Sequence, residues 1–319
     1  MSDSSRRPVV LLFEEIHPKA VERLTAKAEV RLATSLAPEA LLHQVADVDG
    51  IIIRANGKVD RRLMEAAPRL KVVGRHGTGV EAIDLEAAVE RSIAIVNTPL
   101  ANVESVAEHA LGMMIALAKR LPEADRAIRA GDWDARYRLT GRELAGKTLG
   151  LVGMGRIGGR LAELAHGAFA MRLLYRDIQP YPDYEARLKA ERVELDQLLV
   201  ESDVVSVHVP LLPETHSLIG EAELRSMRST AFLLNTARGA VVDSQALLQA
   251  LTEGWIAGAG LDVFEPEPLP PDHPLLALEN VILSPHMAAH TDEALLHMAL
   301  VADDILAVLD GREPTHRVA

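Results

Sequence analysis

The chain has 319 residues, a formal net charge of −12 and no cysteine. That length exceeds one ordinary domain and suggests two, while the lack of cysteine excludes disulfides, thiolate nucleophiles and thiolate metal sites. The acidic balance argues against nucleic acid as a partner, because binding a phosphate backbone needs clustered basic surface.

Arg6 and Arg7 precede the apolar run PVVLLF, which stops at Glu14. It is too short for the apolar region of a secretory signal and reads as a first strand. Short apolar runs then alternate with helical patterns: GIIIR, LKVVGR and IAIVN before residue 100, then LGLVG, RLLYR, DVVSVHV, AFLLN, GAGLDV and VILS after it. Such βα repetition predicts parallel sheets with helices on both faces, and two sheets fit better than one. In NTPLANVES, Pro99 is a breaker and Asn102 an N-cap for the long helix that follows, so the chain crosses between domains there. The run ALGMMIALA, Ala110 to Ala118, falls far short of the roughly 20 apolar residues of a membrane span and reads as a core helix. No membrane partner is expected, and the cytoplasm is the expected compartment. The last helical run, Asp292 to Leu309, ends at Gly311 and is expected to return to the first domain. The expected division is residues 1–100 with 288–319 as a substrate domain, and residues 101–287 as a dinucleotide-binding domain.

LGLVGMGRIGGRLAELA, Leu149 to Ala165, joins a buried strand to a helix through G-x-G-x-x-G. Gly153 suits the tight turn, Gly155 a close approach of pyrophosphate to the backbone, and Gly158 close packing of helix on strand. The same fingerprint asks for an acid about 20 residues on, at the end of the next strand, to bind a ribose diol. Asp177 closes MRLLYRD.

Three later stretches, LLNTARGAVVD, GAGLDVFEPEP and VILSPHMAAH, begin as buried strands and end in polar residues. Strand ends are where open α/β sheets hold ligands. They supply Arg238, Glu267 and His286. Oxidising a secondary alcohol needs a base near neutral pH, which suits His286. A carboxylate beside that imidazole raises its pKa and orients it, the role assigned to Glu267. The fork of Arg238 matches a substrate carboxylate and polarises the neighbouring carbonyl in reduction. Taken singly, His286 reads as a helix cap and Glu267 as a solvated loop acid; their succession after a dinucleotide motif favours the catalytic reading. His208, also at a strand end, is given a structural or cofactor-lining role. No metal site is expected.

The sequence resembles the D-isomer-specific 2-hydroxyacid dehydrogenases, and within them the phosphoglycerate dehydrogenase branch. The resemblance runs nearly end to end, through GIIIRANGKV, LKVVGRHGTGVEAIDLEAA, NTPLANVESVAEHAL, ELAGKTLGLVGMGRIG, HVPLLPET, NTARGAVVD, LDVFEPEP and SPHMAAHT. It implies two doubly wound parallel-sheet α/β domains, a Rossmann NAD-binding domain inserted into a flavodoxin-like substrate domain. It places the catalytic Arg, Glu and His on Arg238, Glu267 and His286, choosing Glu267 over Glu265. It implies that the backbone of Gly77, Thr78 and Gly79 cradles the substrate carboxylate while Asn102 lines the cleft. NAD is the implied cofactor, with Arg156 and Ile157 at the pyrophosphate and Asp177 at the ribose. His208, Val209, Pro210 and Thr215 are implied on the adenosine side, and Thr236, Ala237, Asp262 and Ala288 near the nicotinamide.

Two departures from the family pattern stand out: GVEAID, with Glu81 and Ala82, in place of the commoner GVDNID, and Ala288 where many relatives have glycine. No regulatory domain follows residue 319, so a short form is expected. Arg54 and Arg75 end successive buried strands, with His76 beside them, and phosphoglycerate dehydrogenases have arginines at both matching positions. The expected substrate is therefore a 2-hydroxyacid with a second negative group, 3-phosphoglycerate and its oxo form first. The alternative is a glyoxylate or hydroxypyruvate reductase; an alternative of another class is a dinucleotide-sensing corepressor-like protein. Relatives dimerise through the cofactor domain, so a homodimer is expected. The helix of AEHALGMMIALAKR is either its interface or a core element.

Overall fold

A computed structural model describes residues 6–319. The chain forms two compact units, one holding the residues up to 102 together with 290–319, the other residues 103–289.

In the first unit the elements run β1 (Val9–Leu12), α1 (Pro18–Lys27), β2 (Glu29–Leu32), α2 (Pro38–Gln44), β3 (Gly50–Ile53), α3 (Arg61–Ala66), β4 (Val72–Arg75), α4 (Leu85–Glu90) and β5 (Ala94–Val96). The sheet order is β2-β1-β3-β4-β5 with every pair parallel, the flavodoxin-like order. The four residues of β1 and of β3 are all buried, as strands covered on both faces must be. Asp60 and Asp84 cap α3 and α4 through the amides of Leu63 and Ala87.

The second unit runs α5 (Val103–Lys119), α6 (Leu121–Arg129), β6 (Thr148–Val152), α7 (Arg156–Phe169), β7 (Arg172–Arg176), α8 (Pro182–Leu188), β8 (Glu191–Arg192), α9 (Leu195–Glu201), β9 (Val204–Val207), α10 (Glu221–Ser226), β10 (Phe232–Asn235), α11 (Ser244–Glu253), β11 (Gly258–Leu261) and β12 (Val281–Leu283). Its sheet is β12-β11-β10-β9-β6-β7-β8, again all parallel. The direction of winding reverses between β6 and β9. Ligands of doubly wound sheets lie beyond the carboxyl ends of the strands at that reversal.

The chain then returns to the first unit as α12 (Asp292–Met298) and α13 (Val301–Leu309). Val301 and Ile305 of α13 are buried with Val10 and Val72 under that unit's sheet.

Two expectations need correcting. The last helical run is two helices, parted at Ala299 and Leu300, rather than one. Two strands had no apolar signature: β2 is at most half-buried and β8 wholly exposed, because both lie at sheet edges, where one side meets water. Asn102, the residue before α5, accepts the Thr78 hydroxyl on its side-chain oxygen at 3.2 Å.

Candidate active site

The loop after β6 carries the glycine motif. Gly153 has φ +96°, and a Cβ there would lie 2.9 Å from the His208 carbonyl group; a Cβ on Gly158 would lie 2.2 Å from the Gly153 oxygen. Only glycine fits either place. At Gly155, the residue before α7, a Cβ would meet nothing within 4 Å, so the backbone there is open to an incoming group. Arg156 and Ile157 open α7, where unpaired amides favour an anion. The Asp177 carboxylate takes the Met154 amide at 2.8 Å and ties the loop to the end of β7. His208 lies half-buried against the glycine loop, its Nε2 2.8 Å from the Ser206 hydroxyl, and desolvation drives its pKa down to about 4, so it stays neutral. Thr215 donates to the Pro210 carbonyl and accepts from the Leu212 amide, closing the turn after Val209. Thr236 buries a hydroxyl that has no partner among the described residues. The open cradle at Gly155 and that orphaned donor suit a dinucleotide.

The ends of β10, β11 and β12 carry the polar set. Asn235, 1% exposed, closes β10. Its amide donates to the Arg238 carbonyl and its oxygen accepts from the Ala237 amide, both at 3.0 Å, which fixes the turn that projects Arg238. Gly239 brings that turn against the loop after β11, since a Cβ on it would lie 1.9 Å from the Phe264 oxygen. In that loop Glu267 accepts the Phe264 amide on Oε1 at 2.8 Å and faces His286 Nδ1 with Oε2 at 2.8 Å. Glu265 is exposed, and its backbone oxygen accepts from Ser244. The Glu267 contact raises the His286 pKa against the opposing effect of burial. Burial in turn pushes the Glu267 carboxyl up, but the bonds from His286 and Phe264 outweigh it and the net shift is downward. His286 holds φ +50°, and its Nε2 has no hydrogen-bond partner among the described residues. With Nδ1–H engaged by a carboxylate, Nε2 is the nitrogen left to exchange a proton. Asp262, 1% exposed, accepts the Met287 and Ala288 amides.

In the first unit, residues 77–79 follow β4. The Gly77 carbonyl accepts from the Thr98 amide, the Thr78 carbonyl from the Asn97 side chain, and the Gly79 carbonyl from Arg75 Nε at 2.7 Å. With the carbonyls turned inward, the amides of Thr78 and Gly79 have no partner among the described residues, a concavity of donors suited to a carboxylate. Arg54 donates to the Glu15 carbonyl and approaches His290 Nε2 at 2.8 Å; as arginine only donates, that nitrogen is unprotonated. Glu14 holds the same turn by accepting from the amides of Ala55 and Asn56. His76 is 3% exposed with neither ring nitrogen partnered, and burial, helped by Arg54, lowers its pKa to about 4. It packs as a neutral ring. The unusual Ala82 leaves its loop intact because the contact there is made by backbone, the Val59 amide donating to the Ala82 carbonyl.

Residues 111–288 match the model of the D-isomer specific 2-hydroxyacid dehydrogenase NAD-binding domain. A glyoxylate reductase of Korarchaeum cryptofilum is 43% identical over 319 residues, spanning 98% of this chain and 96% of that protein. The chain belongs to the D-isomer-specific 2-hydroxyacid dehydrogenase family. A D-3-phosphoglycerate dehydrogenase of Archaeoglobus fulgidus is 40% identical over 304 residues, 95% of this dehydrogenase but 57% of that longer protein. The crystal structure of the TT0316 protein from Thermus thermophilus matches with a TM-score of 0.91 and 42% identity, over 98% of this chain and 100% of that one. The dehydrogenase is thus an oxidoreductase with two parallel α/β units and an NAD-binding domain. Among the described residues no helix is long and apolar enough to cross a membrane.

Sequence reasoning missed Asn235, Gly239, Glu14 and His290. A buried asparagine ending a strand, in NTARG, was the one available signal for the first pair. Helix α5 is a core element: Met113, Met114 and Leu117 are buried within the second unit.

The Asp177 carboxylate predicts a preference for NAD, since a 2′-phosphate placed against it would be repelled. Arg176, the side chain able to reverse that preference, donates to the Asp177 carbonyl and pairs with Glu194 at 3.3 Å. Steady-state kinetics with both cofactors should give the higher kcat/KM with NAD; parity with NADP would refute the assignment.

Proposed function

We propose that the dehydrogenase reduces a small 2-oxoacid, glyoxylate or hydroxypyruvate, with NADH. The observation that carries the chemistry is the His286–Glu267 pair at 2.8 Å, with Nε2 of the imidazole unpartnered. Bound NADH supplies the reducing equivalent. The protein's own part is to hold and move a proton: His286 Nε2 delivers it to the carbonyl oxygen as that oxygen gains charge, while Glu267 stabilises the cationic ring before transfer. Arg238 polarises the carbonyl, and the amides of residues 78 and 79 take the carboxylate. Arg156, Ile157 and Asp177 hold the cofactor, with His208, Val209, Pro210 and Thr215 on its adenosine side and Thr236, Ala237, Asp262 and Ala288 towards the nicotinamide.

The substrate class is supported by the employment of Arg54 and Arg75. Each spends a donor on the fold, Arg75 on the Gly79 carbonyl and Arg54 on the Glu15 carbonyl and His290. The full-length similarity to a glyoxylate reductase points the same way. A doubly charged substrate such as phosphohydroxypyruvate is the second reading, favoured by two cations at neighbouring strand ends in a chain of net charge −12.

Turnover of glyoxylate, hydroxypyruvate and phosphohydroxypyruvate by wild type, Arg54→Ala and Arg75→Ala separates the two. The uncharged-tail acids are expected to be preferred. Arg54→Ala should spare their turnover, and Arg75→Ala should lower kcat/KM for all three through the loosened loop. Under the second reading each variant instead loses roughly 1.5–3 kcal/mol with phosphohydroxypyruvate alone. Preference for that substrate in wild type, with such losses, overturns the proposal.

The homodimer belongs to the same proposal. In α6 and the turn after it, Leu121, Ile128, Trp133 and Tyr137 are exposed, a large apolar surface of the kind subunit interfaces cover.

A further inference from the structure

Helix α5 carries Ser105 and His109 one turn apart, hence on one face. Neither belongs to the catalytic set or the cofactor contacts described above. Both reach the loop that bears His286. The Ser105 hydroxyl donates to the Ala288 carbonyl at 2.6 Å, and His109 Nε2 lies 2.9 Å from the Ser284 hydroxyl oxygen.

Hydrogen-bond chemistry orders this chain of contacts. Ser284 Oγ is 2.6 Å from Asp262 Oδ1, and a carboxylate only accepts, so the serine proton points at Asp262. The serine oxygen must then accept from His109, which places a hydrogen on Nε2 of that ring. Asp262 completes the circuit. Its Oδ1 also takes the Met287 amide at 2.9 Å, its Oδ2 the Ala288 amide at 2.8 Å, and its backbone carbonyl the His286 amide at 2.8 Å. All these bonds converge on residues 284–288. In their midst His286 holds φ +50°, a left-handed conformation that a residue with a side chain keeps only when its surroundings over-determine it.

We propose that Ser105 and His109 of α5 are positioning residues which, through Ser284 and Asp262, hold the His286 backbone in the conformation that sets its imidazole on Glu267. The helix acts as the rigid mount and the buried carboxylate as the clamp. Hydrogen bonds to an ionised, water-excluded acceptor are strong and directional, so the loop has little freedom while the circuit is closed. Opening it lets the loop relax towards ordinary backbone geometry and draws the ring away from Glu267. The inference rests on the reading of His286 as the acid–base group.

The test uses the full chain with His109→Leu, which removes the donor, and His109→Gln, whose side-chain amide can replace it. The first readout is kcat and KM with NADH and glyoxylate. The second is the NMR titration of the His286 imidazole without NAD, its signal assigned by its loss in His286→Ala. Glu267, Asp262 and Arg238 are the charged groups that act on that ring, and all remain in each variant. His109→Leu should lower kcat by on the order of tenfold or more with KM little changed, as expected when a reacting group is misplaced by a fraction of an ångström. The His286 pKa should fall as the Glu267 contact loosens, and His109→Gln should restore both values.

A lower melting temperature with kcat and the His286 titration unmoved would make the contact merely structural and overturn the proposal. If His109→Leu does not fold, Ser284→Ala interrupts the same path, carries the same expectation and overturns the proposal by the same result. Full turnover in His286→Ala would refute the acid–base reading instead, and the titration would still decide whether α5 positions the ring.

Discussion

Replacing His286 with alanine is expected to lower the rate of 2-oxoacid reduction by roughly 100-fold or more, because general acid–base catalysis commonly contributes that much. NADH binding should survive. The imidazole is 53% exposed, so its removal leaves no buried cavity, and the glycine loop and Asp177 proposed to hold the dinucleotide are untouched. Fluorescence titration with NADH alongside steady-state kinetics checks both halves. Turnover within a few-fold of wild type would mean that another group supplies the proton, and no other imidazole faces a carboxylate at the ends of β10 to β12 among the described residues except His109, which is committed to Ser284.

Glu267→Gln should have a different signature. In the proposed reaction reduction needs His286 protonated, so its rate is expected to fall as pH rises through the His286 pKa. That pKa is raised by the hydrogen bond to Glu267. With an amide in place of the carboxylate the support for the cationic ring is lost, the pKa drops, and the basic limb of the reduction profile moves to lower pH. Oxidation of a 2-hydroxyacid requires the neutral ring, so its acidic limb also moves to lower pH and the reaction extends into more acidic solution. At neutral pH the loss in reduction should be on the order of 10–100-fold, as is common when the partner that orients a working histidine is removed. An amide also has one acceptor oxygen where the carboxylate uses two, for Phe264 and His286, so one of those bonds must go. An unmoved profile would show that the contact has no role in proton transfer.

Local sequence determined those features that depend on neighbouring residues and on burial from both sides. The runs GIII and FLLN are strands because a strand covered on both faces must be apolar at every position, and such runs need no partner to be recognised. The glycine motif is likewise local, a turn and a helix start within six residues. The edge strands β2 and β8 escaped because the exposed side of an edge carries no hydrophobic demand. Residue choice at the strand ends was legible as chemistry, but not the use made of each residue. Arg75 reads as a cation offered to an anion, and only the folded loop reveals its bond to the Gly79 carbonyl four residues away. Glu265 and Glu267 are chemically alike and two positions apart; which of them meets an imidazole 19 residues on was decided by the path of the loop after β11. The clamp of Asp262 on residues 286–288, and the reach of α5 to Ser284 and Ala288, join segments up to 183 residues apart in the chain. Such contacts leave no periodicity to read, because the hydrogen bonds that create them exist only once separate strands and helices have packed against one another.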